Sequence, residues 1–202
     1  MGQPTVVAHG LNDFLATPYT PIENALSQSI IIRAATAADA VAIRSLHQTV
    51  ATRSGGIARY ADEISDEYVN EFITRSLKNG IIVVAESTEN HALLGELHTY
   101  PYGIRRLAHV LTSLTVVIHP DAQGQGVGRR LFESLIDEVR EHRSEILRIE
   151  LIVQESNTHA RRLYDSVGFR EEGRLIDGIL STTTGLPEND VPMAWVRRTA
   201  TR

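Results

Sequence analysis

Apolar residues change their spacing repeatedly along this chain, and each change marks an element. Ile30-Ile31-Ile32-Arg33-Ala34-Ala35 is a short β-branched run, and the stretch from Asp39 to about Val50 returns to helical spacing. Residues from about Asp62 to Lys78 predict a second helix, ended by Asn79-Gly80. Ile81 to Glu86 and Leu93 to Tyr100 predict paired strands around the turn residues Ser87-Thr88-Glu89-Asn90. Val110 to Ile118 is another β-branched run, and it stops at His119-Pro120 because proline cannot donate to a sheet ladder. Val127, Leu131, Phe132, Leu135, Ile136 and Val139, with charged residues between them, form one buried helical stripe. Ile149 to Val153 predicts a strand, and the next helix carries Ala160, Leu163, Tyr164 and Val167 on one face. Asn157 is its cap and Gly168 the residue just past its end. Gly173 to Leu180 and Val191 to Val196 predict two last strands, joined by the loop from Ser181 to Asp190. Strands and helices alternate only in part, which leaves α/β and α+β both open.

Composition narrows this little. A chain of 202 residues, 42% apolar, is expected to bury one full core. The folded domain is expected over residues 30–198, with residues 1–29, holding Pro4, Gly10, Pro18 and Pro21 and no clean period, as an N-terminal extension or arm. A formal charge of −5 argues against a broad basic nucleic-acid face. With no cysteine, disulfides and thiolate-bound zinc are excluded. The longest apolar runs fall well short of the roughly 20 residues of a membrane span. The first residues also lack a secretory pattern, so a soluble cytoplasmic protein is expected.

The chemistry begins at Gln123-Gly124-Gln125-Gly126-Val127-Gly128, between strand and helix. Glycines there admit φ > 0 and bring bare backbone close to a ligand, while the first N–H groups of a helix attract an anion. Arg129 can add a charged contact. A Walker A loop is ruled out, since Gly128 is followed by Arg129-Arg130 and not by lysine and a hydroxyl. A dinucleotide turn fits poorly but stays open: the glycines read G-x-G-x-G, set five residues beyond the strand, with Glu145 as the downstream acid. The bland alternative is a tight connection with no ligand.

A second segment, Asn157 through Phe169, changes the weighting. Gln123, Gly126 and Gly128 meet the pattern (R/Q)-x-x-G-x-(G/A). Asn157, Ala160, Leu163, Tyr164, Gly168 and Phe169 meet N-x-x-A-x-x-L-Y-x-x-x-G-F. Together, in this order and at this separation, they resemble the GNAT acetyltransferase superfamily over about residues 30 to 196. The resemblance implies a mixed, twisted central sheet of about six to seven strands with helices on both faces. It also implies acetyl-CoA as co-substrate, no metal, and an amine acceptor that is a small molecule, amino acid or peptide. Neither nucleic acid nor membrane is expected as a partner, and homodimers are common in the family.

Carried over position by position, the resemblance puts cofactor contacts at Val116, Val117 and Ile118, whose strand edge would pair with the pantetheine arm. It puts others at Gln123, Gly124, Gln125, Gly126, Val127, Gly128 and Arg129 around the diphosphate, and at Asn157, Ala160, Arg161 and Tyr164. Arg161 and Arg162 would meet the 3′-phosphate, although a solvated helix face is the better account of at least one. An alkyl ammonium, with a pKa of about 10.4, must lose a proton before it attacks a thioester. The leaving thiolate, of parent pKa about 8.5, gains from a proton donor, and Tyr164 matches that position. Its bland role is a core tyrosine. The strand glutamate that serves many members as base is missing, since Thr112 and Ser113 occupy its places. Glu96 is the substitute expected to act as base, with His98 on the same strand face, His109 at the next strand's start, a water relay and an already neutral amine as rivals. Histidine spacing gives no metal motif. A non-catalytic acyl-CoA sensor and a nicotinamide-dinucleotide binder remain the competing functions.

Overall fold

The computed structural model describes residues 29–53 and 57–198; the expected arm lies outside them except for Ser29. Eight strands form one sheet: β1 (Ile30–Ala34), β2 (Ile81–Ser87), β3 (Leu93–Pro101), β4 (Val110–Ile118), β5 (Arg148–Gln154), β6 (Arg170–Glu171), β7 (Leu175–Leu180) and β8 (Pro187–Val196). Their order is β1-β2-β3-β4-β5-β8-β6, with β7 also paired to β8. Four helices pack on it: α1 (Ala40–Ala51), α2 (Asp66–Asn79), α3 (Val127–His142) and α4 (Thr158–Ser166). The sheet exceeds the expected six to seven strands because β6, two residues long, is too short to leave a period in the sequence.

Strands β1 to β4 are an antiparallel meander, and β5 and β8 are antiparallel too. Only β4 and β5 run parallel, and they pair at just two positions, Val110↔Arg148 and Leu111↔Ile149. Ser113, two residues further on, has φ +51°, a left-handed backbone that a serine rarely adopts. The neighbouring ladder slips there as well, between His98 and Tyr100 of β3. This bulge turns β4 out of register. Beyond it, the side of β4 that would face β5 has no strand partner, and the sheet opens.

Two cores flank the sheet. On one face α3 and α4 bury Leu131, Phe132, Leu135, Val139 and Tyr164 against Leu97, Leu111, Ile149 and Leu151. On the other, α1 and α2 bury Ile43, Val69, Phe72 and Ile73 against Ile82 and Val84, while Leu46 and Val50 cover Val117. The second helix starts later than its apolar period suggests. A 3-10 turn covers Ala61–Glu63, and the helix begins at Asp66 because the Ser65 hydroxyl accepts the Tyr68 N–H at 3.2 Å.

Candidate active site

The glycine turn is built as the sequence suggests. Proline at 120 ends β4 in a 3-10 turn, and the Gln123 side chain donates back to the Ile118 carbonyl at 3.3 Å, tying the turn to the strand end. Gly124 and Gly126 have φ +75° and +78°, with nothing within 4 Å of where a Cβ would stand. Gly126 caps α3. The N–H groups of residues 124 to 129 donate to no described residue, while that of Arg130 begins the helix ladder by donating to the Gly126 carbonyl. Six successive donors without a described acceptor thus lie at the positive end of a 16-residue helix, an arrangement that suits a doubly charged diphosphate.

Helix α4 is pressed against this turn. A Cβ on Gly128 would lie 3.0 Å from Leu163 Cδ2, so the third glycine serves helix contact and not turn geometry. Asn157 Oδ1 accepts the Ala160 N–H at 3.1 Å, as the cap reading requires. Tyr164, one residue after Leu163, is buried beside Phe132 and Phe169, with ring centroids 5.1 and 6.3 Å away. No described residue hydrogen-bonds its hydroxyl, and burial pushes its pKa up to about 12. Gly168 ends α4 with φ +102°.

Two arginines of the cofactor reading are engaged by protein groups. The Arg161 guanidinium is held by Glu171 at 2.6 Å and by the Glu155 carbonyl at 2.9 Å. Arg129 donates to Ser166 Oγ at 2.9 Å and lies 3.7 Å from Glu133. Acids within hydrogen-bonding reach and α4's exposed end account for both placements. Arg162 stays exposed.

The candidate base is deeper than the sequence suggests. Glu96 has no accessible surface and points toward α1 and α2. Its Oε2 lies 2.8 Å from His47 Nε2 and its Oε1 lies 3.0 Å from His98 Nδ1. Burial pushes its carboxyl up, but electrostatic attraction to His98 and the hydrogen bonds from His47 and His98 outweigh this and hold it below the ordinary value. His98 shares its strand face, as period two demands, and stacks on Phe72 with centroids 3.9 Å apart and planes 7° off parallel. Register places Glu96 opposite Val117 and His98 opposite Thr115, both on the half of β4 that lies beyond the bulge. His109 is not part of this group: it is exposed at the far, paired end of β4, where its carbonyl accepts the N–H groups of Leu147 and Arg148.

His47 was missed by sequence reasoning, though its position one helical turn after Ile43, on the stripe with Leu46 and Val50, marks it as buried. Its Nδ1 is a buried nitrogen without a partner. The ligand atoms of His47, Glu96 and His98 lie within 4.8 Å of one another, a cluster that histidine spacing does not reveal because His47 comes from another element. Glu150 was missed too. It lies on β5 beside the opening, where Tyr102 donates to it and Arg148 lies 2.9 Å away.

Residues 49–169, more than half of the chain, match the model of the acetyltransferase (GNAT) family. The chain belongs to this family. It is 26% identical over 141 residues to the L-amino acid N-acyltransferase MnaT of Escherichia coli (strain K12), covering 68% of this chain and 78% of that protein. It is 43% identical over 60 residues to the [ribosomal protein bS18]-alanine N-acetyltransferase of the same strain, a match spanning 30% of this chain but only 39% of that enzyme. The solved structure of yncA from Salmonella typhimurium, a putative acetyltransferase determined with its cofactor acetyl-CoA, superposes with a TM-score of 0.73. Sequence identity there is 20%, and the match covers 86% of this chain and 97% of that one. The expected family and fold are therefore met. Among the described residues no helix is long and apolar enough to cross a membrane.

Proposed function

We propose that residues 30–198 form a cytoplasmic N-acetyltransferase that moves an acetyl group from acetyl-CoA directly to a primary amine. The observation that carries this reading is the row of six unused N–H groups at residues 124 to 129, set beside the open edge of β4. The turn would hold the diphosphate, and the edge formed by Val116, Val117 and Ile118 would pair with the pantetheine arm as an added strand. Asn157, the cap of α4, would contact the same arm. An N–H of that edge would polarise the thioester carbonyl.

Tyr164 would approach the opening from the α3 and α4 side, where its hydroxyl would donate to the departing thiolate. A phenol raised to about 12 is a poor acid for full proton transfer, so the hydrogen bond itself is its main contribution. Transfer is direct: the chain holds no cysteine to carry the acetyl group. The acceptor is an amine of a small molecule, amino acid or peptide. Relatives named for L-amino acids and for a ribosomal protein's alanine support that range.

The test is release of CoA thiol from acetyl-CoA with a panel of L-amino acids, polyamines and alanine-initiated peptides. Amine-dependent release is expected. Tight CoA binding with no release by any amine would favour a sensor, and thermal stabilisation by nicotinamide dinucleotides but not by CoA would favour the dinucleotide reading.

A further inference from the structure

We infer that His98 takes the proton of the acceptor amine, and that Glu96 and His47 are positioning residues that fix which of its nitrogens is free to do so. The inference rests on the N-acetyltransferase reading and replaces Glu96 as the base. A carboxylate only accepts hydrogen bonds, so the two nitrogens that face Glu96 must both carry hydrogen. His47 therefore donates from Nε2 and His98 from Nδ1, at 2.8 and 3.0 Å. Each neutral ring then has its lone pair on the other nitrogen.

The two lone pairs are not equivalent. His47 Nδ1 is buried without a partner, and a proton placed there would be a buried donor with no acceptor. His47 is thus locked as a donor to Glu96. His98 Nε2 belongs to the one side chain of the three that retains any accessible surface, 2% against none for His47 and Glu96. Its register partner Thr115 is part-exposed on the open half of β4. Phe72 clamps the ring from α2, so the imidazole cannot turn away from Glu96. Carboxylate, imidazole and free Nε2 in series are the arrangement that holds a histidine base in the right tautomer.

The groups that bear on the charge of His98 act in opposite senses. Glu96 on β3 favours a proton at His98. From α2 the nearest titratable ring is Tyr68, at the edge of Phe72, with Arg59 stacked 4.0 Å from it. Tyr100 on β3 lies 6.2 Å beyond His98 and carries Arg75 at 4.0 Å. These two guanidiniums oppose an added positive charge, while Ile82 of β2 and Thr115 of β4 bring none. The same three donors invite a metal. An ion on His47 Nε2, however, would force hydrogen onto Nδ1, which has no acceptor, so the set suits a hydrogen-bonded chain better.

The step balances. One proton of the ammonium passes to His98 Nε2, directly or through one water, and from there to solvent. The freed nitrogen pair forms the C–N bond as the C–S pair leaves with sulfur. Sulfur leaves hydrogen-bonded to the Tyr164 hydroxyl and takes a proton from solvent, to which the second nitrogen proton is lost. The products are the amide, CoA thiol and one released proton.

His98→Asn keeps an N–H for Glu96 but removes the free ring nitrogen, and Glu96→Gln removes the tautomer lock. With the best acceptor of the panel, each is expected to lower kcat by roughly 10²-fold with KM for acetyl-CoA unchanged. Both should convert a pH profile that levels off into one that keeps rising toward the amine pKa. Long-range 1H–15N spectra of the wild-type protein, which need no acceptor, should show hydrogen on His98 Nδ1 and on His47 Nε2. Hydrogen on His98 Nε2, a stoichiometric bound divalent metal, or an active wild type whose folded His98→Asn variant keeps its rate and profile would overturn the inference while leaving the transferase reading standing. A wild type that binds CoA yet acetylates nothing, with the expected tautomers present, would overturn both.

Discussion

Gly128 and Leu163 meet where α3 crosses α4, so closely that a Cβ on the glycine would stand 3.0 Å from Leu163 Cδ2. The glycine turn and the helix bearing Tyr164 are therefore one packed unit. Gly128→Val is expected to cost about 1–3 kcal/mol through overpacking. Leu163→Ala, harmful alone, should relieve part of that cost in the double variant. Urea midpoints of the four proteins give the coupling, expected at about 1 kcal/mol or more. Strict additivity would mean that the helices do not touch here in solution.

Gly126 presents a different problem, since its φ of +78° is strained for any L side chain while the space around it is open. Gly126→Ala should cost about 1–2 kcal/mol for the left-handed backbone. It should also place a methyl group where the diphosphate is to lie. Isothermal titration with CoA is expected to show weaker binding by about 10-fold or more, and dephospho-CoA should suffer equally because the 3′-phosphate lies elsewhere. Unchanged affinity would take the turn out of the cofactor site.

How far the sequence could be read depends on how local each feature is. The Ile118-His119-Pro120 strand end, the glycine turn and the Asn157 cap follow from neighbouring residues, and they stand where local chemistry puts them. The start of α2 was misread by a few residues because Ser65, a cap, outranked the apolar period that runs back to Asp62. β6 could not be seen, as it exists only through pairing with Ala194 and Met193 on β8. At the candidate site, period two gave the shared face of Glu96 and His98, but nothing local says that His47, 49 positions earlier in the chain, closes over the carboxylate. Arg161 shows the converse: a motif position suggested a phosphate contact, and tertiary packing supplied Glu171 instead.

Acid should act on the junction of β1 with α1. Arg33 donates to both oxygens of Asp39, at 3.0 and 2.7 Å, and the Thr36 N–H reaches the same carboxylate at 2.7 Å. The Arg33 hydrogen bonds, with those from Thr36, overcome desolvation and lower the Asp39 pKa from 3.8 to about 2. A lowered folded-state pKa gives stability that is present above 3.8 and lost as pH falls toward 2. Asp39→Asn is accordingly expected to be less stable than wild type at pH 7 by about 1–2 kcal/mol, since the group is only slightly exposed. By pH 2 the two should have drawn together. Urea midpoints across this range check it, and a gap that persists undiminished below pH 2 would assign the effect to shape and not to charge.

Tyr164 allows stability and catalysis to be separated in one substitution. Its ring is buried while its hydroxyl has no partner among the described residues and is not enclosed, so Tyr164→Phe should leave stability at pH 7 nearly unchanged. In alkali the variants should part. The folded-state pKa is raised to about 12, above the ordinary 10, so the wild type loses stability as pH climbs from 10 toward 12, where only the unfolded chain can ionise this phenol. Phenylalanine cannot ionise, and the variant should lose less over that interval; absorbance at 295 nm should likewise show one late-titrating tyrosine fewer. In turnover the order reverses. Removal of the hydrogen bond to the leaving sulfur should lower kcat by roughly 10- to 100-fold, while CoA affinity, which depends on the glycine turn, is kept. On the proposed role of the hydroxyl in thiolate departure, acyl donors with more acidic thiols should narrow the gap between variant and wild type. A variant equally slow with every donor would place Tyr164 in acceptor positioning instead.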